Sequence, residues 1–449
     1  MTVNIATEAT APRDACDFSL NTLSPNRYAD HRDDLIGAFT NVRQHTLDLT
    51  STLSAEDMQL QSMADASPAK WHLAHTTWFY EAFILAQSDP DFAWHEPLFA
   101  ELFNSYYNAM GDPFPRPKRG LISRPGLDQI HAYREHINLQ IVQLFKCCDE
   151  SELTRIAPLL VLGINHEQQH QELLLTDIKH ALFQNPAYPA VFPTASAHRP
   201  DDSTETDFNW LQIEAMESLI GHHGNGFCFD NELPSHSVRL QAYEIASHPV
   251  SNALWLDFIN DGGYQQPLLW LSDGWAWCRA NTVQCPHYWV SKDSGKDSGK
   301  DVGKDRDWQQ FSQQYSLAGL MPIEMNAAVC HVSYYEADAF ARWAGHRLPT
   351  EQEWETACRQ QHEPDKKSGK KFHYGQCWEW TASPYTPYPG FTADSGNVGE
   401  YNSKFMVNQM VLRGSSGATP VGHSRPTYRN FFYPDARWQF SGLRLVRHA

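Results

Sequence analysis

Two histidines, His166 and His170, stand four residues apart in the run His166-Glu167-Gln168-Gln169-His170-Gln171-Glu172. On a helix this spacing puts both imidazoles on one face, a turn apart. There they can chelate one divalent metal through their ring nitrogens. Glu167 and Glu172 are expected to hold the far ring N–H groups and so fix tautomer and orientation. The plainer alternative is a solvated face with a chance pair, since the chain holds 22 histidines. A third ligand is offered by Trp71-His72-Leu73-Ala74-His75, in which His75 shares a stripe with Trp71, Trp78 and Ala82 and points inward. Alone, an inward histidine is more often a hydrogen-bonded core residue. Beside an inward His-x-x-x-His it becomes a third ligand. Three neutral imidazoles leave coordination positions open, which suits a catalytic Fe(II) or Zn site better than a closed structural one. Zn, Ni or Cu would also fit such a set, often more tightly than Fe(II).

A second group follows the same logic. Asn104-Ser105-Tyr106-Tyr107-Asn108 is followed by Pro115-Arg116-Pro117-Lys118-Arg119-Gly120. Paired tyrosines can donate a proton in a reaction. Two arginines three apart, stiffened by prolines, can grip a carboxylate bidentately. Taken alone, aromatic packing and solvated basic residues are the better reading.

These residues need elements to position them. Leu35, Phe39, Val42, Thr46 and Leu49 recur at helical spacing. A second helix is expected over about 68–87. A third carries Ile130, Tyr133, Ile137, Ile141 and Leu144. A fourth is expected to start near Pro158, at a first helical turn, and to run to about 183. Four amphipathic helices in this span predict a four-helix bundle over 26–183, after a mobile tail at 1–25. The Pro-, Ala-, Ser- and Asp-rich stretch 184–207 reads as a linker. From 208 to 449 the texture changes. Val238, Leu240 and Ala242 alternate as in a half-buried strand, and short helices begin at Ser251 and at the capping box Thr350-Glu351-Gln352-Glu353. This half reads as α+β, with a disordered Lys-Asp-Ser-Gly repeat inserted at 291–307.

Composition narrows the function. With 35 basic and 53 acidic residues the net charge is −18, which disfavours nucleic acid as a partner. The apolar stretch 157–164 is far short of the roughly 20 residues a membrane span needs, and the first residues carry no secretory signal. Nine cysteines, an odd count without Cys-x-x-Cys, point to a cytoplasmic protein with reduced thiols. Oligomeric state is left open.

Residues 71–80 and 166–172 together resemble the DinB-type bundle of the iron-dependent sulfoxide synthases of ergothioneine biosynthesis. The second half is similar to the formylglycine-generating-enzyme (sulfatase-modifying-factor, C-type-lectin-like) fold. The matching stretches include Gly262-Gly263-Tyr264, Arg347-Leu348-Pro349-Thr350-Glu351, Cys377-Trp378-Glu379-Trp380-Thr381, Arg425-Pro426-Thr427-Tyr428-Arg429-Asn430 and Phe440-Ser441-Gly442-Leu443-Arg444. The resemblance spans about 26–449. It implies Fe(II) on His75, His166 and His170, with O2 as co-substrate. The reaction it implies joins a cysteine-type thiol donor to C2 of hercynine (Nα-trimethylhistidine), giving a sulfoxide. His72 sits where the family pattern requires no ligand. By the same resemblance Gln169 contacts the hercynine imidazole, Asn430 and Phe431 line its trimethylammonium side, Arg116 and Arg119 hold the donor carboxylate, and Tyr106 or Tyr107 supplies a proton. Phe432 stands where members using γ-glutamylcysteine carry an Asp. That difference and the tyrosine pair point to free cysteine.

Several rivals keep part of this reading. γ-Glutamylcysteine or a selenosugar are alternative donors. An ovothiol-type synthase typically carries a further methyltransferase domain. Formylglycine-generating chemistry needs a cysteine pair near the C-terminus, whereas the last cysteine here is Cys377. A ligand-binding module on a structural metal bundle is the non-enzymatic alternative.

Overall fold

The computed structural model describes residues 23, 25–193, 209–291, 311–362, 372–393 and 402–449. Nearly all of the expected tail, the 194–207 part of the linker and the insertion from 292 to 307 lie outside the described residues.

Four long helices form the first half: α1 (Arg32–Thr50), α2 (Ala69–Tyr80), α3 (Leu127–Cys147) and α4 (Glu150–Phe183). Helix α2 runs on through a π-helical turn, Glu81–Leu85, so the element expected over 68–87 is one rod with a bulge. Helices α1 and α2 each pack against α3 and α4. The apolar stripe of α1 is buried as its spacing requires. Helix α2 is buried on every side, which marks it as the central rod. Its one lysine, Lys70, reaches the carbonyls of Ile122 and Pro125 at 2.9 and 3.0 Å. Gly163 lets α4 lie against α2, because a Cβ there would come 2.5 Å from the Tyr80 ring.

One expected boundary is corrected. Helix α4 begins at Glu150, not near Pro158, and Pro158 lies inside it. Asp149 caps the helix by accepting from the Glu152 amide at 2.8 Å, and that local stop signal outweighs the single lost bond at the proline. The stretch 184–193, expected as linker, is fastened to both halves. Val191 and Phe192 donate to the Leu317 carbonyl, and Thr52 donates to the Val191 carbonyl.

The second half is α+β. A sheet of β1 (Trp210–Ile213), β4 (Tyr243–Ala246) and β12 (Val446–His448) ties its first strand to its last. Between them come the hairpin β2 (Met216–Ile220) and β3 (His236–Leu240), then helix α5 (Asn252–Asn260) capped by Ser251 as expected. A helix over Ser272–Ala280, α6, precedes the sheet of β5 (Trp289–Ser291), β6 (Phe311–Ser316) and β7 (Gly319–Pro322). Helices α7 (Tyr334–Trp343) and α8 (Glu351–His362) follow. The last sheet has the order β10-β9-β8-β11, built from Asn430–Phe432, Met410–Gly414, Trp378–Pro384 and Ser441–Leu443. This sheet faces α4. Trp378, at the start of β8, donates its indole N–H to Glu172 at 2.8 Å. Among the described residues no helix is long and apolar enough to cross a membrane.

Candidate metal centre

Helices α2 and α4 bring His75, His166 and His170 together, with one potential ligand atom of each within 4.8 Å of the others. His75 and His166 are buried and His170 is half-buried. The Nε2 atoms of His75 and His166 stand 3.2 Å apart. Burial pushes all three imidazoles down: His166 to about 3, and His75 and His170 well below their ordinary value with neighbouring rings adding to the effect. Neutral imidazoles keep the lone pairs a metal needs at neutral pH.

Two of the three tautomers follow from the surroundings. His75 Nδ1–H donates to the Phe103 carbonyl at 2.6 Å, so Nε2 carries the lone pair. His170 is set by a relay. Asp177 accepts from His72 Nε2–H at 3.1 Å, which makes His72 Nδ1 an acceptor. His170 Nδ1–H then donates to it at 2.8 Å, and His170 Nε2 is left for the metal. Asp177 is itself held by the Ser67 amide at 2.8 Å. The donor set therefore suits a divalent transition metal. Asp177 is the residue that sequence reasoning missed, and His72, correctly set apart from the ligands, was given no role there. Asp177 stands 105 positions from His72, on a different helix, so the pairing is invisible to any local spacing rule.

The two glutamates expected to support the histidines do something else. Glu167 follows His166 by one residue, about 100° around the helix, and so faces the bundle core. There it takes Arg43 at 3.0 Å, Thr46 at 2.6 Å and Arg134. The two guanidiniums overcome its burial and hold its carboxyl down to about 2. Glu172 faces the second domain, where Trp378, Ser416 and Thr419 donate to it.

Around the histidines the other expected residues are spread over two domains. Arg119 is buried, its guanidinium 3.5 Å over the Trp71 ring, and Trp71 stacks on His75 at 4.6 Å. It donates to Ser67 at 2.9 Å and Ser105 at 3.2 Å. Arg116 is exposed and donates to the Asp65 carbonyl. Tyr107 is fully buried and lies one ring away from the ligands, 5.9 Å from Trp78 and 6.5 Å from Phe79. Phe79 in turn is 4.5 Å from His166. Tyr106 stacks on Tyr107 at 4.7 Å, and burial pushes its phenol well up, so it stays protonated. From Tyr106 a file of rings runs into the second domain: Phe405 at 5.2 Å, then Phe431, which stacks on Tyr385 at 4.0 Å. Asn430 accepts from the Phe431 amide, and Phe432 packs half-buried beside the core. Gln169 donates to the Tyr428 hydroxyl at 2.6 Å, and His423 lies 3.3 Å from that hydroxyl.

The sulfatase-modifying factor enzyme 1-like domain matches residues 211–376 and 369–449, more than half of the sequence. The chain belongs to this family. The DinB superfamily matches residues 38–174, the bundle. The hercynine oxygenase of Mycolicibacterium smegmatis is 27% identical, over 92% of this chain and 99% of that protein. That of Mycolicibacterium thermoresistibile is 28% identical, over 93% and 95%. Ergothioneine biosynthesis protein 1 of Schizosaccharomyces pombe is 24% identical, over 73% of this chain and 44% of that protein. A DinB-type bundle ahead of a sulfatase-modifying-factor domain is thus the architecture of the hercynine oxygenase type, as the sequence resemblance implied.

Proposed function

We propose that this protein is an Fe(II)- and O2-dependent sulfoxide synthase that joins the sulfur of cysteine to C2 of hercynine, a step of ergothioneine biosynthesis. The observation that carries the reading is the convergence of His75, His166 and His170, two of them with tautomers fixed for Nε2 ligation, in a chain similar to hercynine oxygenases over nine-tenths of its length. Fe(II) held there supplies a redox-active Lewis acid that acidifies a thiol and engages O2.

The remaining roles belong to the chain's own side chains. Arg119, fixed over Trp71 by two serines, holds the donor's carboxylate, and Arg116 joins it by leaving the Asp65 carbonyl. Gln169, whose side-chain amide donates to the Tyr428 hydroxyl, contacts the hercynine imidazole, as the family resemblance implies. Phe431 and Asn430 line the trimethylammonium side, where an aromatic face attracts a cation. The Tyr106–Tyr107 pair, kept protonated by burial at Tyr106, provides the proton that steers oxidation toward C–S coupling. Phe432 offers no charge to a γ-glutamyl amine, which favours free cysteine.

The test supplies Fe(II)-loaded protein with hercynine, O2 and, in parallel, cysteine, γ-glutamylcysteine or a selenosugar, and identifies products by mass. Hercynylcysteine sulfoxide from cysteine is the expected result. Product only from γ-glutamylcysteine overturns the Phe432 argument. Product only from the selenosugar moves the reaction to selenoneine formation.

A further inference from the structure

Eight cysteines lie among the described residues, all free thiols, and two of them meet. Cys330 ends the segment ahead of α7, and Cys377 directly precedes β8. Cys330 Sγ stands 3.9 Å from the carbonyl of Gln376, the residue before Cys377, and the two thiols are near enough to act on each other's ionisation. Both segments are fastened to the same strand, β11. Val332 donates to the Ser441 carbonyl at 3.2 Å, while β8 pairs with β11 in the register Ser441↔Trp378. Gly442 makes the approach possible, because a Cβ there would come 2.6 Å from Cys377 Sγ.

The pair is asymmetric. Cys377 is fully buried, whereas Cys330 is half-buried and so is the thiol a small solute meets first. A lysine stands beside Cys330, its ammonium drawn down by burial to about 7 and held up in part by the Cys330 sulfur, so that it is charged in a share of the molecules at neutral pH. Lys179 of α4 is 3% exposed, its Nζ lies 2.7 Å from His331 Nε2, and its charge acts on the Cys330 sulfur. Cys377, and then Lys179, draw the Cys330 thiol down against the cost of burial. Cys228, Cys278 and Cys285 go the other way, pushed up by burial to about 12, 11 and 12. A thiolate beside a cation and a resolving thiol is the arrangement in which oxidation is selective.

We propose that Cys330 and Cys377 are an oxidant-sensitive dithiol, closed to a disulfide by a peroxide, with Cys330 attacked first and Cys377 resolving. The Cys330 thiolate attacks one peroxide oxygen, the O–O bond breaks, and a sulfenic acid and water result. The Cys377 sulfur then displaces that hydroxyl as a second water and forms the S–S bond. Two thiols lose two electrons and two protons, and one hydrogen peroxide becomes two waters.

The disulfide sits under the seam between the two halves. Next to Cys377, Trp378 grips Glu172, and next to Cys330, His331 grips Lys179. Both grips fall on α4, the helix that carries His166 and His170.

The experiment treats the reduced full-length protein with stoichiometric hydrogen peroxide, blocks remaining thiols under native conditions, and maps the digest by mass. The expected product is 2 Da lighter, carries a linked peptide pair through Cys330 and Cys377, and reverts with dithiothreitol. Cys330→Ser removes the link, and Lys179→Met slows its formation, because less of Cys330 is then thiolate. Recovery of Cys330 and Cys377 as thiols while Cys147 or Cys148 is oxidised overturns the proposal. So does a link rate unchanged by Lys179→Met. If Cys330→Ser does not fold, the link map of the unsubstituted protein decides alone.

Discussion

Replacing His72 with Phe isolates the relay behind the metal site. The ring of His72 passes a hydrogen bond from Asp177 to His170 Nδ1 without itself belonging to the ligand set. His72→Phe keeps the volume and removes both bonds. His170 then loses the partner that fixes its tautomer, and Asp177 keeps the Ser67 amide alone of the two bonds that hold its buried carboxylate. Loss of an outer partner of this kind typically costs 10–100-fold in metal affinity, or about 1.4–2.8 kcal/mol at 1.4 per tenfold. The stranded carboxylate costs the metal-free fold a further ~1–3 kcal/mol. The two effects separate experimentally. Anaerobic competition of Fe(II) or Co(II) against a chelator reads affinity, and urea unfolding of the metal-free protein reads stability. His72→Gln, which retains a donor and an acceptor, should recover part of the affinity. If His72→Phe lowers the urea midpoint but leaves metal affinity within twofold of the original, the relay is only a packing feature and the tautomer argument fails.

Other changes address different parts of the account. Glu167→Gln leaves Arg43 and Arg134 as buried, uncompensated cations, and unfolding free energy in urea should fall by about 3–5 kcal/mol; a loss under ~1 kcal/mol would show that the cluster is not what braces α4. Tyr106→Phe and Tyr107→Phe should lower the ratio of coupled product to cysteine sulfinate, and the tyrosine assignment is wrong if neither alters it. Stability should also fall with acid. Burial pushes His423 down to about 3, with Arg425 adding, so between its unfolded value near 6.5 and pH 3 the unfolded chain binds a proton that the fold refuses. The stability is full above pH 6.5 and declines as pH falls, by about 2 kcal/mol at pH 5 for this group. His423→Gln should lessen the drop between pH 7 and pH 5 by that amount, and an unchanged slope would contradict the assignment.

What could be read in the sequence was what depends on local period. The stripes on α1 and α3, the inward aim of His75 and the shared face of His166 and His170 follow from spacing, since a helix repeats every 3.6 residues, whereas α2, expected to be amphipathic, is buried on every side. The capped start of α5 at Ser251 was legible for the same reason. What escaped depends on partners distant in sequence. The start of α4 was misplaced because Pro158 was read as a first-turn residue, while the cap that sets the start is Asp149. Glu167 and Glu172 were assigned to the histidines because they adjoin them, yet residues adjacent on a helix face different neighbours. One meets arginines of α1 and α3, the other Trp378, Ser416 and Thr419 of the second domain. The Asp177–His72–His170 relay crosses between α2 and α4 and has no signature in either helix alone.

The most direct test is a single-turnover assay under O2 with hercynine and cysteine, run on metal-free protein, on protein loaded with one Fe(II) per chain, and on Fe(II)-treated His166→Ala. The account predicts hercynylcysteine sulfoxide in the loaded sample alone, in proportion to bound iron. Coupling that is independent of iron, coupling retained by His166→Ala, or no coupling with any thiol or selenium donor would contradict it.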